Sequence, residues 1–351
     1  MFSKNLKYYR LKNAMSKTEL AKKCNLSPMA ITHYENGDRK PDMNVLKNMA
    51  EVLGVRVADF LVMHNEGLTF QHGEFRKSVS LSKEKRELVR ASVEEYFSRF
   101  MMIVEILGGE VLPTAPNTGC LALLEDIEEN AKLLRRHLNL SDDGPIDNLV
   151  EVLENKGILV YECELVEEHF SGMNGFVNER PYIVINKKMS PERNRSTIAH
   201  ELSHLMFSWP NEMDEKRVED LATSISGAFL FPMSDAKREL GLHRLRFSKD
   251  MLLVAQEYGI STLMLVKRAR IANILSESAE RDFYFKASNI GWRKHEPSRI
   301  LPEVPLLFRQ FVYRAVNENE ISILKGAELL KASYEEIASN CCFNGDEEWS
   351  V

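Results

Sequence analysis

Between Ser196 and Met206 the chain reads Ser-Thr-Ile-Ala-His-Glu-Leu-Ser-His-Leu-Met, and few folds can accommodate that order. Wound at about 100° per residue, Ile198, Leu202, Leu205 and Met206 gather on one side as a stripe to bury. His200 and His204 stand one turn apart on the opposite side, where two imidazoles can reach a single ion. Glu201 falls between the two faces, close to such an ion without being one of its ligands. Ser190 as N-cap and Pro191 as first helical residue predict where the helix begins.

The order His-Glu-x-x-His is the one zinc peptidases use: two neutral imidazoles bind Zn²⁺ and the glutamate takes a proton from water. By residue frequency alone it arises in roughly one chain in a hundred of this length, so a third ligand has to decide. The next helical pattern offers one. Val218, Leu221, Ala222, Ile225 and Phe229 form its stripe, while Glu219, Thr223 and Ser226 line a neighbouring face. Glu219 is therefore expected to complete a His₂Glu set with His200 and His204, with a fourth position left for water. Thr223, Ser226 and Gly227 are small enough to let the two helices approach closely.

At 351 residues the chain has material for two or three cores. No apolar run approaches a membrane span, and the beginning of the chain (Lys4, Lys7, Arg10) lacks the apolar segment of a signal peptide. Five cysteines without a Cys-x-x-Cys spacing argue against both a disulfide framework and a cysteine zinc site. Cys341 and Cys342 are read as incidental thiols, and the expected compartment is the cytoplasm. The net charge of −6 hides an asymmetry. Residues 1–64 hold 11 Lys and Arg against 6 Asp and Glu, a balance of +5, and the remainder holds 35 against 46, a balance of −11. A basic head on an acidic body implies a polyanion partner for the head alone.

Within that head, Ser16 and Glu19 form a capping box opening a short helix to Cys24, and Asn25-Leu26 makes a tight turn. Ser27 caps a second helix with Pro28 at its first position, stopped by Asn36-Gly37, and a packing helix follows Lys40-Pro41. This is the outline of a helix-turn-helix. Ser16-Lys17-Thr18-Glu19-Leu20-Ala21, Leu26-Ser27, Ile31, Tyr34-Glu35-Asn36-Gly37 and Arg39-Lys40-Pro41 resemble the XRE family of phage-repressor-type DNA-binding domains. The resemblance implies that Pro28, Met29, Thr32 and His33 face base edges and that Lys17, Asn36, Arg39 and Lys40 meet phosphates of a double-stranded operator. Pro28 and Met29 replace the amide side chains common there, which favours apolar contact with thymine methyls.

Downstream, the pattern breaks from His64 to about Lys77 as a linker or short extended pieces. Helices are expected over Leu81–Leu107, Leu121–Leu138 and Ile146–Glu154. Ile158–Tyr161, Gly175–Val177 and Tyr182–Asn186 read as strands, with Asn178–Pro181 as a turn, and an edge strand beside the metal could hold an extended peptide. His169 is taken as a surface residue with a minor claim as ligand. Ser261 caps a helix over Leu263–Leu275, residues 281–300 show no period, and three helices follow over Leu306–Val316, Ile321–Leu330 and Tyr334–Ser339. Ser322, Gly326, Ala327 and Leu330 faintly echo a second helix-turn-helix without a basic patch, which favours a protein contact there.

The run Ile158–Pro232 resembles the ImmA/IrrE family of metallopeptidases. The matching pieces are Tyr182–Asn186, Pro191-Glu192-Arg193, Ile198–Leu205 and Glu219-x-x-Ala222 leading to Leu230-Phe231-Pro232. The resemblance implies zinc on His200, His204 and Glu219, Glu201 as general base, and a helix-turn-helix repressor as target. Thr223 stands where the family often carries Asn, Asp or His.

The expected fold class is mostly α, with an all-α helix-turn-helix domain (1–64), a linker and helical region (65–144), a small α+β metallopeptidase domain (145–280) and a C-terminal helical region (281–351). The expected function is a DNA-binding transcriptional regulator, acting as a homodimer away from membranes, whose zinc endopeptidase cleaves a repressor, another protein or itself. The alternative is a non-proteolytic regulator or antitoxin-like protein whose metal domain is a sensor or relic. Glu201 favours the enzyme, because a structural zinc needs no base.

Overall fold

A computed structural model of the chain describes residues 2–61, 67–73, 81–164, 170–293 and 295–341. Four helices open it: α1 (Phe2–Lys12), α2 (Lys17–Lys23), α3 (Pro28–Asn36) and α4 (Met43–Leu53). The Ser16–Glu19 capping box forms, Ser27 and Asp42 cap α3 and α4, and Gly37 and Gly54 end these two helices in the left-handed region. Leu6, Leu20, Ile31, Met49 and Phe60 close a small separate core. Inside it the Arg10 guanidinium grips Glu35 (Nε–Oε1 2.5 Å), tying α1 to α3.

The body follows in the order β1 (Phe70–His72), α5 (Lys83–Ile106), β2 (Leu121–Ala122), α6 (Ile127–His137), α7 (Leu149–Asn155), β3 (Leu159–Cys163), β4 (Gly172–Val177), β5 (Arg180–Asn186), α8 (Pro191–Met206), β6 (Phe207–Ser208) and α9 (Glu215–Leu230). Helices α10 (Met233–Leu240), α11 (Asp250–Glu257), α12 (Thr262–Ile271), α13 (Glu277–Asn289), α14 (Leu307–Asn317), α15 (Ile323–Leu330) and α16 (Tyr334–Cys341) complete it. The sheet runs β1-β4-β5-β3, with β3 parallel to β5 and the other pairs antiparallel.

Because side chains alternate along a strand, β5 feeds two cores. Ile183 and Ile185 meet Ile198 and Leu202 of α8 and Ile225 and Phe229 of α9. Tyr182 and Val184 meet Phe97 and Phe100 of α5 together with Phe308 and Phe311 of α14. The helical segments on either side of the 145–280 stretch therefore cover its sheet. Phe100 and Phe308 stack at 5.0 Å, so residues some 200 positions apart in sequence form one layer.

Several local expectations need correction. The helix expected from Leu121 starts at Ile127, because Asp126 Oδ1 caps the amides of Glu128 and Glu129 while Leu121 and Ala122 pair with Phe207 and Ser208. The turn before β5 is only Asn178–Glu179, both at positive φ, and Arg180 and Pro181 already belong to the strand. Pro181 lies beyond the end of β3, so its missing N–H costs that pairing nothing. The 281–300 stretch contains most of α13, whose periodicity is faint because only Phe283 and Ala287 on it are buried. Gly227 does not open the α8–α9 contact, since a Cβ there would meet Arg268 of α12. His64, His169 and Cys342 lie outside the described residues. Among those described, no disulfide links the cysteines, and no helix is long and apolar enough to cross a membrane.

Candidate metal centre

Helix α8 begins as its sequence dictates, with Ser190 Oγ accepting from the Arg193 amide and Pro191 at the first turn. The helix is buried on almost every side, well beyond the single stripe its periodicity predicts. Its far end is held by the Gly119 amide, which donates to Leu205 O at 2.8 Å. Helix α9 is anchored at its C-terminus by two buried arginines. Arg135 Nε donates to Phe229 O and Arg268 Nε to Phe231 O, each at 2.8 Å, which answers the negative end of the helix. Desolvation holds Arg135 below the usual arginine range, although it carries three carbonyl contacts.

Between these helices three ligand atoms converge. His200 Nε2 and His204 Nε2 are 2.9 Å apart, Glu219 Oε1 is 3.2 Å from His204 Nε2, and Glu219 Oε2 is 3.4 Å from His200 Nε2. A tetrahedral Zn²⁺ with ligands near 2.0–2.1 Å sets its donors about 3.3–3.4 Å apart. The triangle fits such an ion from one side, and the donor set of two imidazoles and one carboxylate suits zinc. His200 is buried, while His204 and Glu219 are partly open, so the cluster has a wall and a mouth. Thr223, one turn beyond Glu219, sets its Oγ1 3.3 Å from His200 Nδ1 and so fixes the ring through its other nitrogen. The Trp209 ring stands 5.6 Å from that of His204 and borders the cluster.

Glu201 is buried and does not join the cluster. Its Oε2 accepts a hydrogen bond from Asn174 Nδ2 at 2.8 Å, so β4 holds the carboxylate that α8 presents. Strand and helix come this close because of Gly172, where a Cβ would lie 2.4 Å from Thr197 Cγ2 and 2.6 Å from Val184 O. Sequence reasoning missed Asn174. The strand expected from Gly175 left it outside, whereas the strand starts at Gly172. The strand beside the candidate metal site is also not an edge, because β1 pairs along its outer side.

In the head, Pro28, Met29, Asn36, Arg39 and Lys40 are exposed, with Met29 at 64%. Thr32 is half-buried, and its hydroxyl donates back to Pro28 O at 3.1 Å. His33 Nδ1 lies 3.1 Å from Asp38 Oδ2. Lys17 reaches Glu35 Oε2 at 3.5 Å, so it shares the carboxylate that Arg10 grips.

Residues 6–60 match the helix-turn-helix family model, and residues 153–270 match that of the IrrE N-terminal-like domain. No match was found among curated proteins. The second span contains α8, α9 and all three candidate ligands, and its boundaries fall where β3 and α12 close the core around them. The chain is therefore a helix-turn-helix domain of XRE type fused to an ImmA/IrrE-type, metallopeptidase-like domain with a candidate His₂Glu metal site.

Proposed function

We propose that this protein is a DNA-binding transcriptional regulator of the cytoplasm, carrying a zinc-dependent endopeptidase that cleaves a helix-turn-helix repressor or the chain itself. The observation that carries this reading is the convergence of His200, His204 and Glu219 beside a buried, separately held Glu201. When bound, zinc supplies a Lewis acid for water and for the scissile carbonyl. The residues of the chain do the rest. His200, His204 and Glu219 hold the ion, and Thr223 keeps the His200 ring in place. Glu201, oriented by Asn174, takes the proton from the attacking water and returns it to the leaving amine. A metal kept only for structure would require no such base.

The head delivers this activity to duplex DNA. Pro28, Met29, Thr32 and His33 are assigned to base edges, and Lys17, Asn36, Arg39 and Lys40 to phosphates. Two copies acting as a homodimer would read paired half-sites. The test is Glu201→Gln in the full chain, co-expressed with candidate repressor proteins. Zinc content and DNA binding are expected to persist while cleavage disappears. Cleavage that survives the substitution would remove Glu201 from the mechanism.

A further inference from the structure

An extended peptide gains backbone hydrogen bonds only where a strand offers unpaired N–H and C=O groups. β4 is the strand that touches Glu201, through Asn174, and its inner side is committed to β5. Its outer side is taken by the chain itself. β1 runs antiparallel along it, with Phe70, Gln71 and His72 opposite Val177, Phe176 and Gly175, and the Gly73 amide donates to Asn174 O at 2.8 Å. This strand comes from the segment between the helix-turn-helix domain and α5.

β1 is short but fastened at both ends. At one end the Asn178 amide donates to Thr69 O and the Thr69 amide to Asn178 Oδ1, both at 2.9 Å. At the other, His72 Nδ1 lies 2.6 Å from the Tyr182 hydroxyl, and His72 Nε2 lies 3.2 Å from Glu94 Oε1 on α5. Gly73 then meets the site. A Cβ on it would lie 2.7 Å from Asn174 O and 2.9 Å from Asn174 Oδ1, on the same side chain that orients Glu201. Strand pairing thus ends against the residue that positions the base.

We propose that the outer edge of β4 is the docking edge for an extended peptide and that β1 is its resident occupant, displaced by strand exchange when a peptide enters. That the peptide is a substrate rests on the peptidase reading above; the exchange itself does not. An entering peptide should copy the pattern of β1. It needs an aromatic where Phe70 stands, a hydrogen-bonding ring two residues on, and a minimal side chain against Asn174.

The experiment uses the full chain carrying Glu201→Gln, so that a bound peptide stays intact. The probe is a fluorescein-labelled synthetic peptide with the sequence of residues 67–73, tested alongside a second in which its phenylalanine is aspartate. Anisotropy should show at least ten-fold tighter binding when His72→Ala is added, a smaller gain with the gentler Tyr182→Phe, and no binding of the aspartate peptide. Amide exchange over Gly172–Val177 should quicken in the free His72→Ala chain and slow again with peptide. Equal affinity in all chains, or no binding once exchange reports the edge freed, would overturn the proposal. So would an edge that stays protected when Phe70→Asp is combined with His72→Ala. Strand exchange in a chain that retains Glu201 yet cleaves neither itself nor any co-expressed repressor would sink the peptidase reading alone.

Discussion

Asn174 and Glu201 lie 27 positions apart in sequence, yet the amide Nδ2 of one donates to the carboxylate Oε2 of the other at 2.8 Å. Two elements with different jobs, a sheet strand and the ligand-bearing helix, are joined at the group assigned as base. The contact takes up Oε2 and not Oε1, so if Glu201 is the base it should bear on rate more than on metal retention. Asn174→Ala should keep its zinc and lose about 10- to 100-fold in kcat with little change in KM. Zinc analysis and turnover of any repressor found to be cleaved in the co-expression test measure both. A variant that loses zinc along with activity would make Asn174 a structural residue only.

Thr223 addresses the candidate metal site from the other side. Its hydroxyl is 3.3 Å from His200 Nδ1. Thr223→Val preserves shape and removes the contact. Zinc affinity, measured by competition with a chromogenic chelator, should fall about ten-fold, and Thr223→Asn should restore most of it.

Glu154 predicts a pH dependence remote from the candidate metal site. Its Oε2 accepts from the amides of Leu306 and Leu307 at 3.0 and 3.1 Å, fastening the start of α14 to α7. Burial nonetheless pushes its carboxyl up to about 7, more than the two amides lower it. The folded chain therefore favours the neutral acid. The associated stability is whole below the ordinary value of 4.5 and is lost as pH rises through about 7. Glu154→Gln keeps an acceptor for both amides and cannot ionise. Its melting temperature should vary less than that of the parent between pH 5 and 8, with an advantage at pH 8 of up to about 3 kcal/mol. Parallel curves for the two proteins would show that Glu154 is not the group responsible.

The head separates two kinds of cation. Arg39 and Lys40 are exposed, whereas Lys17 is drawn to Glu35 at 3.5 Å. Arg39→Ala combined with Lys40→Ala should weaken operator binding and lower the slope of log K against log salt by about 2. Lys17→Ala should change that slope by less than 1, because part of its charge is already answered. Fluorescence anisotropy across a salt series distinguishes the two.

Close approach at Gly172 yields a stability prediction. Gly172→Ala places a methyl group 2.6 Å from Val184 O and 2.4 Å from Thr197 Cγ2, so strand and helix must separate. A loss of about 1–3 kcal/mol is expected, read by denaturant unfolding of the full chain.

What the chain's order of residues determined alone is what local chemistry controls. The capping box at Ser16 and Glu19, the Ser27-Pro28 start and Gly37 stop of α3, and the Ser190-Pro191 start of α8 all act within one turn of helix. The four-residue spacing of His200 and His204 likewise puts both rings on one side of a helix whatever surrounds it. Glu219 was legible because it lies on its own helix one turn from Thr223, on a face distinct from the buried stripe. Its meeting with the two histidines required α8 and α9 to pack, with Arg135 and Arg268 holding the end of α9. Partners across a sheet are not encoded locally. The pairing of Leu121 with Phe207, of Phe70 with Val177, and of Asn174 with Glu201 depends on which strands become neighbours. That is set by burial of two apolar faces shared among α5, α8, α9 and α14, a sum over the whole chain that no short window of sequence contains.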